Sequence, residues 1–150
     1  MRVLLDTNIL TRCAQRKHRQ HGAAVGAVRE LRRRGDLLFI VPQNLYEFWV
    51  VATRPAGDNG LGRTPTEAAE RLAQLKRSYT LLPESSELLS VWEALVVENG
   101  VSGKAAHDAR LVASMKNGRL EAILTFNDRH FSRYEEFTVL APESVSDSAS

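Results

Sequence analysis

Four short strings hold the residues best placed to do chemistry: LLDTN with Asp6, PQNLYEFW with Glu47, AAHDARLVASM with Asp108, and ILTFNDRHF with Asn127 and Asp128. Each acid taken alone has an ordinary structural role. Asp6 suits a helix N-cap, and Glu47 suits the exposed face of a helix. Asp108 suits the first turn of a helix, where it answers the dipole. The Asn127-Asp128 pair suits a turn. Taken together they imply more. Three carboxylates about 4 Å apart would repel one another by about 4 kcal/mol per pair at an effective dielectric of about 20. Such a cluster stays ionised only around a cation. An all-oxygen donor set favours Mg2+, with Mn2+ as a substitute, over zinc. A divalent ion held in this way can lower the pKa of a bound water and so serve metal-assisted hydrolysis.

The elements that must position these groups alternate between strand and helix. Val3-Leu4-Leu5, Leu37 to Val41, Tyr79 to Leu82, Ala122 to Thr125 and Phe137 to Leu140 are short apolar runs and read as buried strands. Helices are expected over 7–18, over 20–34 with Ala23, Ala24, Val28 and Leu31 facing inward, and from Pro42 to just before Pro55. Thr64-Pro65-Thr66-Glu67 is a capping box that opens a further helix. Two more are expected over 84–99 and over 104–117, the latter closed by Gly118. Apolar strands separated by helices make a parallel sheet covered on both faces. The expected fold class is therefore α/β, a three-layer α/β/α sandwich with a central, mostly parallel sheet. Ligands bind such sheets beyond the carboxyl ends of the strands. Asp6, Asn127 and Asp128 directly follow strands, Glu47 follows one within a turn, and Asp108 begins a helix just before one. One domain over 1–141 is expected, with a disordered tail over 142–150.

Bulk properties narrow the field. A chain of 150 residues buries enough surface to fold without disulfides, and its one cysteine, Cys13, leaves no zinc or disulfide pattern. This suits a reducing, cytoplasmic setting. The start of the chain does not read as a signal peptide, and no apolar run reaches the roughly 20 residues of a membrane span. Net charge is +2, unevenly spread. Residues 1–40 carry nine Arg or Lys against Asp6, Glu30 and Asp36, a surplus of six positive charges. Such a surplus either attracts a phosphate backbone or coats a solvated helix. Arg12, Lys17 and Arg110 are the candidates for holding a nucleic-acid backbone.

The ordered set LLDTN, an early-helix Glu, HDARLVA and LTFNDRHF resembles the PIN-domain family, in particular the VapC-like toxin ribonucleases. The resemblance spans roughly residues 2–140. It implies a Mg2+-dependent endoribonuclease acting on RNA, with Asp6, Glu47 and Asp108 as the family's three metal-site acids. A fourth acid often follows the Thr of this last motif by two positions; here that position is Asn127, which weakens a second metal, and Asp128 sits one place late. Thr7, Asn8 and Thr125 would orient the acids. The resemblance further implies a cognate antitoxin and a homodimer, with helices 43–54 and 65–77 as candidate partner surfaces. Two other readings compete. A haloacid-dehalogenase-like phosphohydrolase also opens on a strand ending in Asp, but it needs a second acid where this chain has Asn8. A catalytically weak PIN-like module that binds nucleic acid or protein would follow from Asn127 and from exposed aromatics among Tyr46, Trp49 and Trp92.

Overall fold

The structure is a computed structural model that describes residues 1–147. Its elements are β1 (Arg2–Leu5), α1 (Thr7–Ala14), α2 (His21–Arg33), β2 (Leu37–Ile40), α3 (Pro42–Thr53), α4 (Pro65–Ser78), β3 (Thr80–Leu81), α5 (Leu88–Glu98), α6 (Ala105–Gly118), β4 (Ala122–Leu124), α7 (Asp128–Phe131), β5 (Thr138–Leu140) and α8 (Pro142–Asp147). The five strands form one sheet in the order β3-β2-β1-β4-β5, and every neighbouring pair is parallel. Each parallel step needs a helical crossover, which explains the strand-helix alternation in the sequence.

Strand periodicity divides the core into two. Val3, Leu5, Leu38, Ile40, Ala122 and Leu124 point to one face and pack against Ile9 and Leu10 of α1, Leu31 of α2, Phe48 of α3 and Val145 of α8. Leu4, Phe39 and Ile123 point to the other, against Leu95 of α5, Leu111 and Met115 of α6, and Phe131. The expected three-layer sandwich is what forms. The strand order reverses between β1 and β4. Connections from β1 lead outward to β2 and β3, whereas β4 and β5 lie on its other side. That reversal opens a crevice at the carboxyl ends of these two strands.

Three expectations change. Residues 142–147 form α8, with Pro142 in its first turn and Val145 only 3% exposed beneath α2. Burial of that valine orders a segment whose composition reads as disordered; the remaining expected tail, 148–150, lies outside the described residues. Helix α6 runs through Gly118, and Arg119 takes the left-handed turn at φ 54°. Gly118 serves a different need, because a Cβ there would stand 2.6 Å from Leu82 Cδ1. The Asn127-Asp128 pair, suited to a turn, instead opens the short helix α7, anchored by buried Phe131.

Candidate active site

Asp6 caps α1 at the end of β1, with one carboxylate oxygen accepting 2.7 Å from the Thr7 amide. Its other oxygen accepts from the Thr125 hydroxyl, also at 2.7 Å. Thr125 follows β4, so this bond crosses the crevice. Burial pushes the Asp6 carboxyl up from 3.8 to about 6. The Thr125 and Thr7 bonds pull it back, while the negative charges of Glu47 and Asp108 push it further up. Asp6 thus senses both other acids, which come from different helices.

Glu47 stands on α3, and its Oε1 accepts 2.9 Å from Thr7 Oγ1. Thr7 is itself held by Asn44, one turn before Glu47. The fully buried Asn44 amide donates to Thr7 Oγ1 and to the Leu5 carbonyl, both at 3.1 Å, and its oxygen accepts from the Val41 amide at 2.8 Å. The third acid is tied to the same helix. Gln43 Nε2 donates to the His107 carbonyl at 3.0 Å, fixing the first turn of α6 against the first turn of α3. Asp108 lies in that turn, half-buried, and its Oδ2 is 3.2 Å from His130 Nδ1. Burial raises its pKa above the usual carboxylate value, and His130 and His107 oppose that rise.

A PIN-domain family model matches residues 3–136. The chain belongs to the PIN-domain family. A sequence search finds no match among curated proteins. Solved structures share the fold. The VapBC2 complex of Rickettsia felis bound to a promoter DNA fragment aligns with a TM-score of 0.68 at 14% identity, over 94% of this chain and 98% of that one. A toxin-antitoxin complex from Klebsiella pneumoniae gives 0.62 at 21% identity, over 93% and 97%. The sarcin-ricin-loop-cleaving toxin VapC20 of Mycobacterium tuberculosis gives 0.61 at 18% identity, over 88% and 95%.

Within this PIN domain the predicted residues divide into three groups. Asp6, Thr7, Glu47, Asn8 and Thr125 meet at the crevice, with Asp108 in electrostatic reach. Asn8 Oδ1 accepts from the Phe126 amide at 3.3 Å and its Nδ2 faces Thr125 Oγ1 at 3.5 Å. It is a clamp between α1 and β4, and it leaves the dehalogenase-like reading without a proton donor. Asn127 and Asp128 border the site on exposed backbone; the Asn127 amide donates to Thr125 Oγ1 at 2.9 Å, and neither side chain bonds to the three acids.

The three basic candidates sit differently from expectation. Arg110 bonds to Glu84 and Gln43, so its guanidinium braces the protein. Arg12 bonds to Gln15 and Gln20, fastening the end of α1 to the next loop. Lys17 is exposed beside Arg16, His18, Arg63 and Arg71 in a groove at the far end of α1, about 12 Å of helix from Asp6. Part of the basic surplus is also internal: Arg33 and Arg34 both pair with Glu30.

The donors suit a hard divalent cation in kind. They are carboxylate oxygens, and among the described residues neither Asp6 nor Glu47 forms an ion pair with Lys or Arg. A buried carboxylate without a cationic partner is the group such an ion would relieve. The acids share an electrostatic neighbourhood and not a common point. Among the described residues no three His, Cys, Asp or Glu side chains close into a cage. The sequence reading passed over Gln43, Asn44 and His130. Asn44 carried a signal: a polar residue three places into a helix that begins with Pro42 reaches back to the capping amide.

Proposed function

We propose that this PIN domain is a Mg2+-dependent endoribonuclease, the toxin of a toxin-antitoxin pair, acting in the cytoplasm. The observation that carries the reading is the Asp6 carboxylate at the β1/β4 crevice, held by Thr7 and Thr125, raised chiefly by its burial and further by the charges of Glu47 and Asp108, with no Lys or Arg ion pair among the described residues to offset them. Asp6, Glu47 and Asp108 would hold the ion, with Mn2+ able to replace Mg2+, and the neutral oxygen of Asn127 or the late acid Asp128 would complete the site weakly. A bound ion of this kind supplies a water of lowered pKa and positive charge toward a phosphate. The protein's own part is orientation. Thr125 and Thr7 fix the two Asp6 oxygens, Asn44 fixes Thr7, and Gln43 holds the turn of Asp108. The crevice admits an attacked phosphate from a single strand or loop more readily than from a stacked duplex.

Support for the biological role comes from the structural neighbours, two described as toxin-antitoxin or VapBC complexes and one as a sarcin-ricin-loop-cleaving toxin. A protein partner also has surface to use. Tyr46 and Val50, one turn apart on α3, are 63% and 53% exposed, and Val97 on α5 is 80% exposed. These support an antitoxin partner and a homodimer. No helix among the described residues is long and apolar enough to cross a membrane.

The test is cleavage of mixed RNA with Mg2+, Mn2+ or EDTA, run beside Asp108→Asn. Cleavage that vanishes with chelation and with the substitution, while circular dichroism stays unchanged, is the expected result. Activity surviving both ends the proposed mechanism. Sedimentation of the purified chain tests the homodimer.

A further inference from the structure

A pocket of 480 Å³ opens at the carboxyl edge of the sheet, next to the acids. It lies between the loop that follows β3, the start of α5 and the first turns of α6. One wall is His107, the residue before Asp108, whose carbonyl Gln43 grips. The pocket therefore begins where the acid site ends. Its volume falls in the range of pockets that hold small organic ligands.

Its chemistry narrows the ligand. Its apolar lining is formed by Leu88, Leu89, Trp92 and Ala106. Trp92 already donates its indole N–H to the Ala106 carbonyl at 2.8 Å. That bond fixes the indole and leaves carbon and π surface for the pocket. Its polar lining includes Arg110, Ser85, Ser86 and His107. Arg110 is paired with Glu84, which also lines the pocket, so their charges cancel. A site for a phosphate would keep its cation free. A rigid aromatic wall with a neutral, hydrogen-bonding polar lining suits a flat heteroaromatic ring with polar edges.

We propose that this pocket receives an unstacked nucleobase of the RNA strand whose phosphate lies at Asp6, Glu47 and Asp108. The assignment of RNA rests on the nuclease reading above; the pocket's preference for a base over a sugar phosphate does not. Single-stranded RNA is commonly read in this way, with bases splayed out onto aromatic side chains.

Fluorescence separates the two readings. Trp49→Phe leaves Trp92 as the reporter, since the chain has two tryptophans. Titration of that full-length protein with adenosine, guanosine, cytidine or uridine 5′-monophosphate in EDTA should quench Trp92 saturably at millimolar concentration for at least one base, whereas ribose 5-phosphate should not. Adding Leu89→Glu, a change at an exposed wall position, should weaken that quenching at least about fivefold, the low end of what one stacked base contributes. Adding Asp108→Asn should leave it intact. Quenching without any RNA cleavage by the parent protein would remove the nuclease reading and keep the base pocket. Equal quenching by ribose 5-phosphate, or no quenching by any of the four nucleotides, overturns the pocket. Quenching that survives Leu89→Glu unchanged would also overturn it, and loss of a dimer in that same protein would then assign the surface to a second copy of the chain.

Discussion

Replacing Asp6 with asparagine removes a charge that the fold holds at a cost, and the size of that cost follows from its surroundings. Lifting a carboxyl from 3.8 to about 6 costs about 3 kcal/mol of native stability when the group is ionised, at about 1.4 kcal/mol per tenfold change. The sign is set by the direction of the shift. The native state holds the Asp6 proton more tightly than the unfolded state, so stability falls as pH rises from about 3.8 to 6. The penalty is complete above that window and absent below it. Asparagine avoids the penalty but disturbs the hydrogen bonds. Its one oxygen can keep the Thr7 amide, and its NH2 then faces Thr125 Oγ1, which already accepts from the Asn127 amide. The displaced hydroxyl costs roughly 1 kcal/mol. The net expectation is that Asp6→Asn in EDTA at pH 7.5 is about 2 kcal/mol more stable than the parent chain, a rise in Tm of roughly 4–8 °C for a chain of this length. Near pH 4 the gain should vanish. Excess Mg2+ should reverse the order at pH 7.5, because the parent gains about 2.7 kcal/mol at a hundredfold excess over Kd. Thermal and urea unfolding followed by far-UV circular dichroism would measure all three. A variant less stable than its parent at pH 7.5 in EDTA would refute the reasoning, because Asp6 would then be stabilised by its surroundings and not strained by them.

Other consequences are separable. Gln43→Leu should slow RNA cleavage about tenfold or more while shifting Tm only a few degrees, because it frees the turn of Asp108 from α3 but keeps an apolar side chain of similar size; single-turnover rates beside a melting curve check this. Arg119→Gly should raise stability by about 1 kcal/mol in urea unfolding, since an exposed Arg holds the left-handed conformation at the end of α6. Glu30, drawn down from 4.5 to about 2 by its bonds to Arg33 and Arg34, should stabilise the fold above about pH 4.5 and lose that contribution as pH falls toward 2. The Glu30→Gln protein should lack that part of the parent's acid-induced loss.

What could be read from the residues in order was whatever depends on short-range pattern. Apolar runs of three to five residues named all five strands; the three central ones, β2, β1 and β4, are largely buried on both faces and need no polar alternation, while β3 and β5 are partly exposed edges. Asp6 was legible because it directly follows a strand, and Glu47 because it stands in the second turn of the helix that follows one; a parallel sheet places those strand ends along one edge. Asp108 was harder, since its place depends on how α6 docks. Gln43 secures that docking through a backbone carbonyl, and a carbonyl carries no sequence signature.

The chain order alone therefore determined the sandwich, its parallel sheet and the carboxyl edge as the place for chemistry, since alternating apolar runs and helices have few other ways to bury themselves. Only the folded structure decided which polar groups are spent on the protein itself. Arg110 goes to Glu84 and Gln43, Arg33 and Arg34 go to Glu30, Asn8 clamps β4, and Val145 draws the last helix onto α2. These partners lie tens of residues apart or depend on which face of a helix turns inward. Their pairing is fixed by three-dimensional proximity, which composition and periodicity do not encode.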